Sequence, residues 1–195
     1  PGVLAHFTGS DGARGHVLCI DGVPLANPWT AGAVPSPSQA SSVIRMDGQE
    51  VFKFAVRTLG SSLKRTIYQA GLTPDDIDLF IPHQANARII EAAARQMRVP
   101  LDKFYLNLDR YGNTSAASVP LALVEAIEEG CLKDGDLVAM CAFGAGLTWA
   151  TAVMQIGTGE ISPAHSLFSV GRARYLARRT SDAVLDTAQS ALLPL

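Results

Sequence analysis

From Ser115 to Glu129 the chain reads as one helix, stopped by Gly130, and the run Ala116–Val124 within it carries no charge. A surface helix needs a polar side; a helix that is apolar all round should be covered on all sides. This run therefore predicts a fold in layers, with the helix between them. The segments around it alternate in type. Apolar runs bounded by turn residues predict strands over Gly2–Thr8, His16–Ile20, Asp78–Pro82, Phe104–Leu108, Asp136–Phe143 and Leu147–Ile156. Apolar residues at helical spacing predict helices after Asp47 and over Ala85–Met97. Alternating strands and helices argue a layered α/β fold.

Local signals place the ends of these elements. Asp47 reads as an N-cap, with Glu50 three residues on. Phe52, Ala55, Val56, Leu59, Leu63 and Ile67 then mark the inner side of a helix, and Gly71 is its natural stop. Thr73-Pro74-Asp75-Asp76 opens a short helical turn. Ile89, Ile90, Ala93 and Met97 line the inner side of the next helix, which Pro100 ends. The stretch 21–42 holds Pro24, Pro28, Pro35 and Pro37 and reads as a solvated crossing rather than a lid.

Composition narrows the class. A length of 195 residues with 48% apolar content allows one domain with a sizeable core. A net charge of −2 gives no general attraction for nucleic acid. No apolar run is long enough to span a bilayer, so no membrane partner is expected. The three cysteines, Cys19, Cys131 and Cys141, are odd in number and form no C-x-x-C pair. They argue against a disulfide framework or a metal site and suit a reducing cytoplasm.

Two residues stand where chemistry is easily placed. His83 lies between the strand Asp78–Pro82 and a helix. Asn113 lies in the turn Tyr111-Gly112-Asn113-Thr114-Ser115, just before another helix. Imidazole and carboxamide both donate hydrogen bonds without carrying a charge. Two such donors aimed at one point would stabilise a developing oxyanion or enolate. Taken singly, His83 is as well explained as a strand-end histidine and Asn113 as a turn residue.

Their neighbours carry a resemblance. His83-Gln84-Ala85-Asn86 followed by Arg88, the stretch Asn107–Ser115 (NLDRYGNTS), and Phe143–Trp149 (FGAGLTW) occur in that order. Together they resemble the C-terminal half of the β-ketoacyl-acyl-carrier-protein synthase III family, condensing enzymes of the thiolase fold. The resemblance covers roughly Gly2 to Ile156. It implies an αβαβα layered architecture in the complete enzyme. Residues 1–20 would be the end of the N-terminal half, 21–156 the C-terminal thiolase-like half, and 157–195 an extension. That last stretch has no counterpart in the family; it is either an extension packing as a helix or a sequence artefact.

The resemblance also implies a function. The family joins an acyl-coenzyme A starter to malonyl-acyl carrier protein with loss of carbon dioxide. His83 and Asn113 would be the catalytic donors to the malonyl thioester oxygen, with His83 neutral and its other ring nitrogen facing an acceptor. Gly146 would present a backbone N–H to an oxyanion, although Ala145 departs from the family's commoner all-glycine run. Gly48, Phe52, Ala55 and Asn86 would meet the pantetheine arm, and Arg88 the carrier protein. No resident cofactor is implied; coenzyme A and phosphopantetheine thioesters are substrates. The complete enzyme would be a cytoplasmic homodimer. The family's nucleophilic cysteine belongs to the N-terminal half, and none of the three cysteines here takes its place. An alternative reading is a non-catalytic half that pairs with a cysteine-bearing partner or docks carrier protein.

Overall fold

The structure, a computed structural model, describes residues 1–20 and 43–157. The proline-rich crossing 21–42 and nearly all of the extension, 158–195, lie outside the described residues. Strand β1 (Gly2–Ser10) opens the chain. The strand expected over His16–Ile20 is shortened, because Gly12–Val17 winds as a 3-10 helix and leaves only β2 (Leu18–Ile20) extended. β2 pairs antiparallel with β3 (Ile44–Met46) in a small sheet of its own.

Helix α1 (Gly48–Gln69) starts where its capping residue predicts: the Asp47 carboxylate accepts from the N–H groups of Gln49 and Glu50, each at 3.1 Å. These are donors that no helical carbonyl could satisfy. The short turn Pro74–Asp76 follows, closed by a capping box between Thr73 and Asp76. β4 (Leu79–Pro82) is buried along its whole length. α2 (Ala87–Met97) begins later than expected, because Asn86 is its N-cap. It ends at Arg98, which adopts the left-handed conformation with φ 60°.

The strand expected over Phe104–Leu108 does not form. Phe104 makes a single bridge to Phe80, and the two rings stack at 4.8 Å. By Asn107 the backbone N–H is given to the side chain of Gln84 at 3.2 Å instead of to a neighbouring strand. A short helix, α3 (Leu108–Tyr111), begins there. α4 (Ser118–Glu128) follows a single 3-10 turn, Ser115–Ala117. The hairpin of β5 (Leu137–Gly144) and β6 (Thr148–Gln155) ends the described chain.

The main sheet has the order β1-β6-β5-β4. β4 runs parallel to β5, while β1 and β5 both run antiparallel to β6. Side chains along β5 alternate between two cores, as the period of a strand requires. Ala139 and Cys141 pack with Leu59, Leu63, Ile67 and Ile90 of α1 and α2. Val138 and Met140 pack with Ala122 and Ala126 of α4. The sheet therefore has helices on both faces, the layered α/β arrangement that the alternation predicts.

Two expectations about burial need correction. Phe52 was expected on the inner side of α1, yet it is 36% exposed. In this first turn the packing is made instead by Val51 and Phe54 against Val17 and Leu147. The charge-free helix was expected to be covered on all sides. α4 buries Ala122 and Ala126 but leaves Leu121, Val124 and Ile127 exposed by 40%, 51% and 45%. The described residues build one of the two layers that such a helix calls for.

Candidate active site

Because β4 and β5 are parallel, their carboxyl ends lie at the same edge of the sheet, the edge where open α/β sheets bind ligands. His83 is the first residue past β4. Its backbone N–H continues the ladder by one bond, to Cys141 O at 2.7 Å. Its ring meets the Phe143 ring at right angles, centroids 5.2 Å apart. So the His83 loop and the hairpin carrying Gly146 share one end of the sheet.

The ring of His83 is 8% exposed as a residue, and burial pushes its pKa below the ordinary imidazole value. Desolvation penalises the charged form, so the ring is neutral at neutral pH. Its Nδ1 lies 2.5 Å from the hydroxyl of Ser118, the first residue of α4. The expectation of an acceptor opposite this nitrogen is corrected here. A pure acceptor would hold the ring proton on Nδ1 and take it from Nε2; a hydroxyl is also able to donate.

Gln84 secures the loop from below. It is buried, its Nε2 donates to the carbonyls of Pro82 and Tyr105, and its Oε1 accepts from Asn107 N. One side chain thereby ties the end of β4 to the segment that leads into α3.

Asn113 sits in an exposed turn clamped at both ends. Before it, α3 is bound to α4 through polar contacts. Asn107 Nδ2 and the Tyr111 hydroxyl both donate to the Glu125 carboxylate, the former at 2.7 Å. Arg110 bridges Glu125 at 3.1 Å and Glu129 at 2.8 Å. The Tyr105 hydroxyl also donates to Glu129, at 2.7 Å. After the turn, Ser118 joins the start of α4 to His83. Within the turn, Asn113 Oδ1 accepts from Ser115 N at 2.9 Å. That contact identifies the oxygen end of the amide and leaves Nδ2 as its donor end. Ser115 itself has φ 53°, left-handed for a non-glycine residue, a sparsely populated conformation of the kind that clusters at functional sites.

Gly146 lies in the three-residue connection between Gly144 and Thr148. Its φ is 130°, and a Cβ there would stand 2.7 Å from Thr148 Cγ2. Only glycine takes this conformation without strain. Leu147, next to it, exchanges backbone hydrogen bonds with Asp11 at 2.7 and 3.0 Å, so the hairpin tip is pinned to the turn after β1.

The other expected residues are spread more widely. Asn86 is exposed and spends its Oδ1 on capping α2, at 2.9 Å from Arg88 N; its Nδ2 is left to donate. Arg88 is exposed on the first turn of α2. Gly48 and Phe52 are exposed at the start of α1, whereas Ala55 is wholly buried in the main core. Cys141 is buried in β5, and burial pushes its thiol up, away from the reactive thiolate. Among the described residues no cluster of His, Cys, Asp and Glu could hold a metal, and no helix is long and apolar enough to cross a membrane. Ser118 and the Asn107–Glu125 contact were not anticipated. A hydroxyl inside a charge-free helical run was the available signal, since a buried hydroxyl needs a partner.

Comparison with known proteins places this geometry. Residues 67–156 match the family described as 3-oxoacyl-[acyl-carrier-protein] synthase III, C terminal. The β-ketoacyl-[acyl-carrier-protein] synthase III of Roseiflexus sp. (strain RS-1) is 47% identical over 154 residues, covering 79% of this chain and 46% of that protein. The solved synthase III of Thermus thermophilus superposes with a TM-score of 0.69 at 44% identity, covering 80% of this chain and 46% of that one. The priming β-ketosynthase of the R1128 polyketide pathway also gives a TM-score of 0.69, at 31% identity over 80% of this chain and 46% of that one. The chain thus spans just under half the length of these relatives. The matched region includes His83, Asn113 and Gly146, and the fold is the thiolase-like one of these enzymes. Residues 67–156 thus match the C-terminal domain of the 3-oxoacyl-[acyl-carrier-protein] synthase III family, and the chain resembles the C-terminal part of the enzymes that carry it.

Proposed function

We propose that this chain supplies the His/Asn half of a decarboxylative condensing enzyme that joins an acyl-coenzyme A starter to malonyl-acyl carrier protein. The observation that carries the reading is the contact from the loop after β4 to the start of α4: a buried His83 bonded through Nδ1 to Ser118, five residues past an Asn113 whose Oδ1 accepts from Ser115 N and whose Nδ2 is left to donate. A cysteine on the other half of the fold takes the acyl group from coenzyme A. His83 Nε2–H and Asn113 Nδ2–H then donate to the thioester oxygen of the malonyl group. The bond to the carboxylate breaks, carbon dioxide leaves, and its electron pair forms an enolate on that oxygen. The enolate carbon attacks the acyl-cysteine carbonyl, and the cysteine leaves as thiolate. Neutral donors suit this step, because a charged imidazolium would be disfavoured in so buried a site. Gly146 N–H serves the tetrahedral oxyanion on the acyl-cysteine side.

Binding follows the same reading. Asn86 Nδ2 and the exposed start of α1, Gly48 and Phe52, meet the pantetheine arm; Ala55 contributes from behind as core. Arg88 offers an exposed guanidinium to the acidic carrier protein. No resident cofactor takes part. The complete enzyme acts as a cytoplasmic homodimer in fatty acid synthesis, or in priming a polyketide.

The test uses the complete enzyme. His83→Ala and Asn113→Ala should each slow malonyl decarboxylation by about 100-fold or more, while leaving self-acylation of the cysteine nearly unchanged. A variant that loses acylation yet keeps decarboxylation would reverse the assigned roles.

A further inference from the structure

The geometry points to Ser118 as the positioning residue that sets the tautomer of His83, donating its hydroxyl proton to Nδ1 so that Nε2 carries the ring proton. The inference rests on reading His83 as an Nε2–H donor, and adds what holds it in that state.

The assignment follows from hydrogen-bond accounting. Ser118 is 2% exposed, so its hydroxyl has no ready exchange with water. Among the described residues its Oγ has two partners: His83 Nδ1 at 2.5 Å and the backbone N–H of Gln84 at 3.4 Å. An N–H has only a proton to give, so toward Gln84 the oxygen accepts. The hydroxyl proton then has one place to go, the lone pair of Nδ1. In the opposite arrangement, Nδ1–H would donate to Ser118. The oxygen would accept twice, and its own proton would be buried without an acceptor, a state costly in folded proteins. Histidine tautomers follow the partners of the two nitrogens, so the ring proton is placed on Nε2.

The position in the chain explains why a hydroxyl is tolerated there. Ser118 begins α4, just after the turn that carries Asn113, and the helix that follows is free of charge as far as Val124. Its hydroxyl meets the His83 loop from the same backbone that presents Asn113. One contact therefore orients the imidazole and fixes the distance between the two loops. Ser118 touches the ring on the side away from Nε2, so its role is positioning and not contact with substrate.

Nitrogen-15 NMR of the full 195-residue chain tests this directly. Long-range proton–nitrogen correlations report which ring nitrogen is protonated, and His83 is assigned against His6→Gln, His16→Gln and His165→Gln variants. At neutral pH, His83 should be the Nε2–H tautomer. Ser118→Ala should lower the ratio of Nε2–H to Nδ1–H on the order of tenfold, the worth of one buried hydrogen bond. Ser118→Cys, which keeps the shape and offers a weaker donor, should lower it by a smaller factor. A wild-type ring protonated on Nδ1 would overturn the inference. So would an unchanged ratio in Ser118→Ala or, should that variant not fold, in Ser118→Cys. A ratio that falls as expected supports the role of Ser118 even if His83→Ala retains decarboxylation, an outcome that would reject only the catalytic reading.

Discussion

The contact between Thr66 of α1 and Thr151 of β6 holds the long helix on the sheet, and its energetics follow from counting protons. Both residues are buried, and their hydroxyl oxygens are 2.5 Å apart. Thr66 Oγ1 also donates to Ser62 O at 3.0 Å. A hydroxyl has one proton, so in the pair Thr151 is the donor and Thr66 the acceptor. The two Thr→Val substitutions should therefore differ. Thr66→Val removes the acceptor and leaves the Thr151 proton buried with no partner, at a cost of about 1–3 kcal/mol. Thr151→Val leaves Thr66 still bonded to Ser62, at a cost of about 0.5–1.5 kcal/mol. In the double variant no hydroxyl is left unpaired, so it should be no less stable than Thr66→Val alone. Urea denaturation of the four proteins measures this. The slopes should agree, and only the midpoints should move. Losses that simply add, to within about 0.5 kcal/mol, would refute the reasoning, because independent sites add in that way.

The uncovered side of α4 gives a second prediction. Leu121, Val124 and Ile127 are each about half exposed, and covering each is worth about 1 kcal/mol. Changing all three to Gln should weaken association with a cysteine-bearing N-terminal half on the order of 100-fold in calorimetry; an unchanged affinity would mean that this side is not where the halves meet. A third concerns acid. The carboxyl of Glu125 is held below its ordinary range, first by the Tyr111 hydroxyl and then by the Asn107 amide; that of Glu129 is lowered first by the Tyr105 hydroxyl. A lowered carboxyl stabilises the fold above its unfolded pKa and loses that contribution as pH falls through its folded one. The tie between α3 and α4 should thus hold at neutral pH and loosen only in acid, seen as faster amide exchange over residues 108–114. Glu125→Gln should flatten that acid dependence; if exchange in the variant rises just as steeply, the contact does not hold the turn.

The sequence by itself determined what depends on near neighbours. The Asp47 cap, the short turn opened at Thr73, the charge-free run of α4 and, each taken by itself, the His and Asn motifs rest on residues a few positions apart. Local geometry alone satisfies such signals, so they were legible. It also marked Gly146, whose positive φ needs glycine. Other features needed the fold. The segment after Phe104 looked like a strand because its composition is apolar, but Gln84, twenty-three positions before Asn107 (107 − 84), takes the N–H that a strand would use. Phe52 has the right phase for burial, yet what covers the first turn of α1 comes from Val17 and Leu147, far away in the chain. Ser118 meets His83 across thirty-five positions, and only the pairing of β4 with β5 and the packing of α4 beneath them bring the two together. Helical periodicity says which side of a helix seeks cover. Whether that cover exists is a matter of the tertiary structure, and for Leu121, Val124 and Ile127 the described layers do not supply it, because burial is a property of what lies opposite and not of the residue that seeks it.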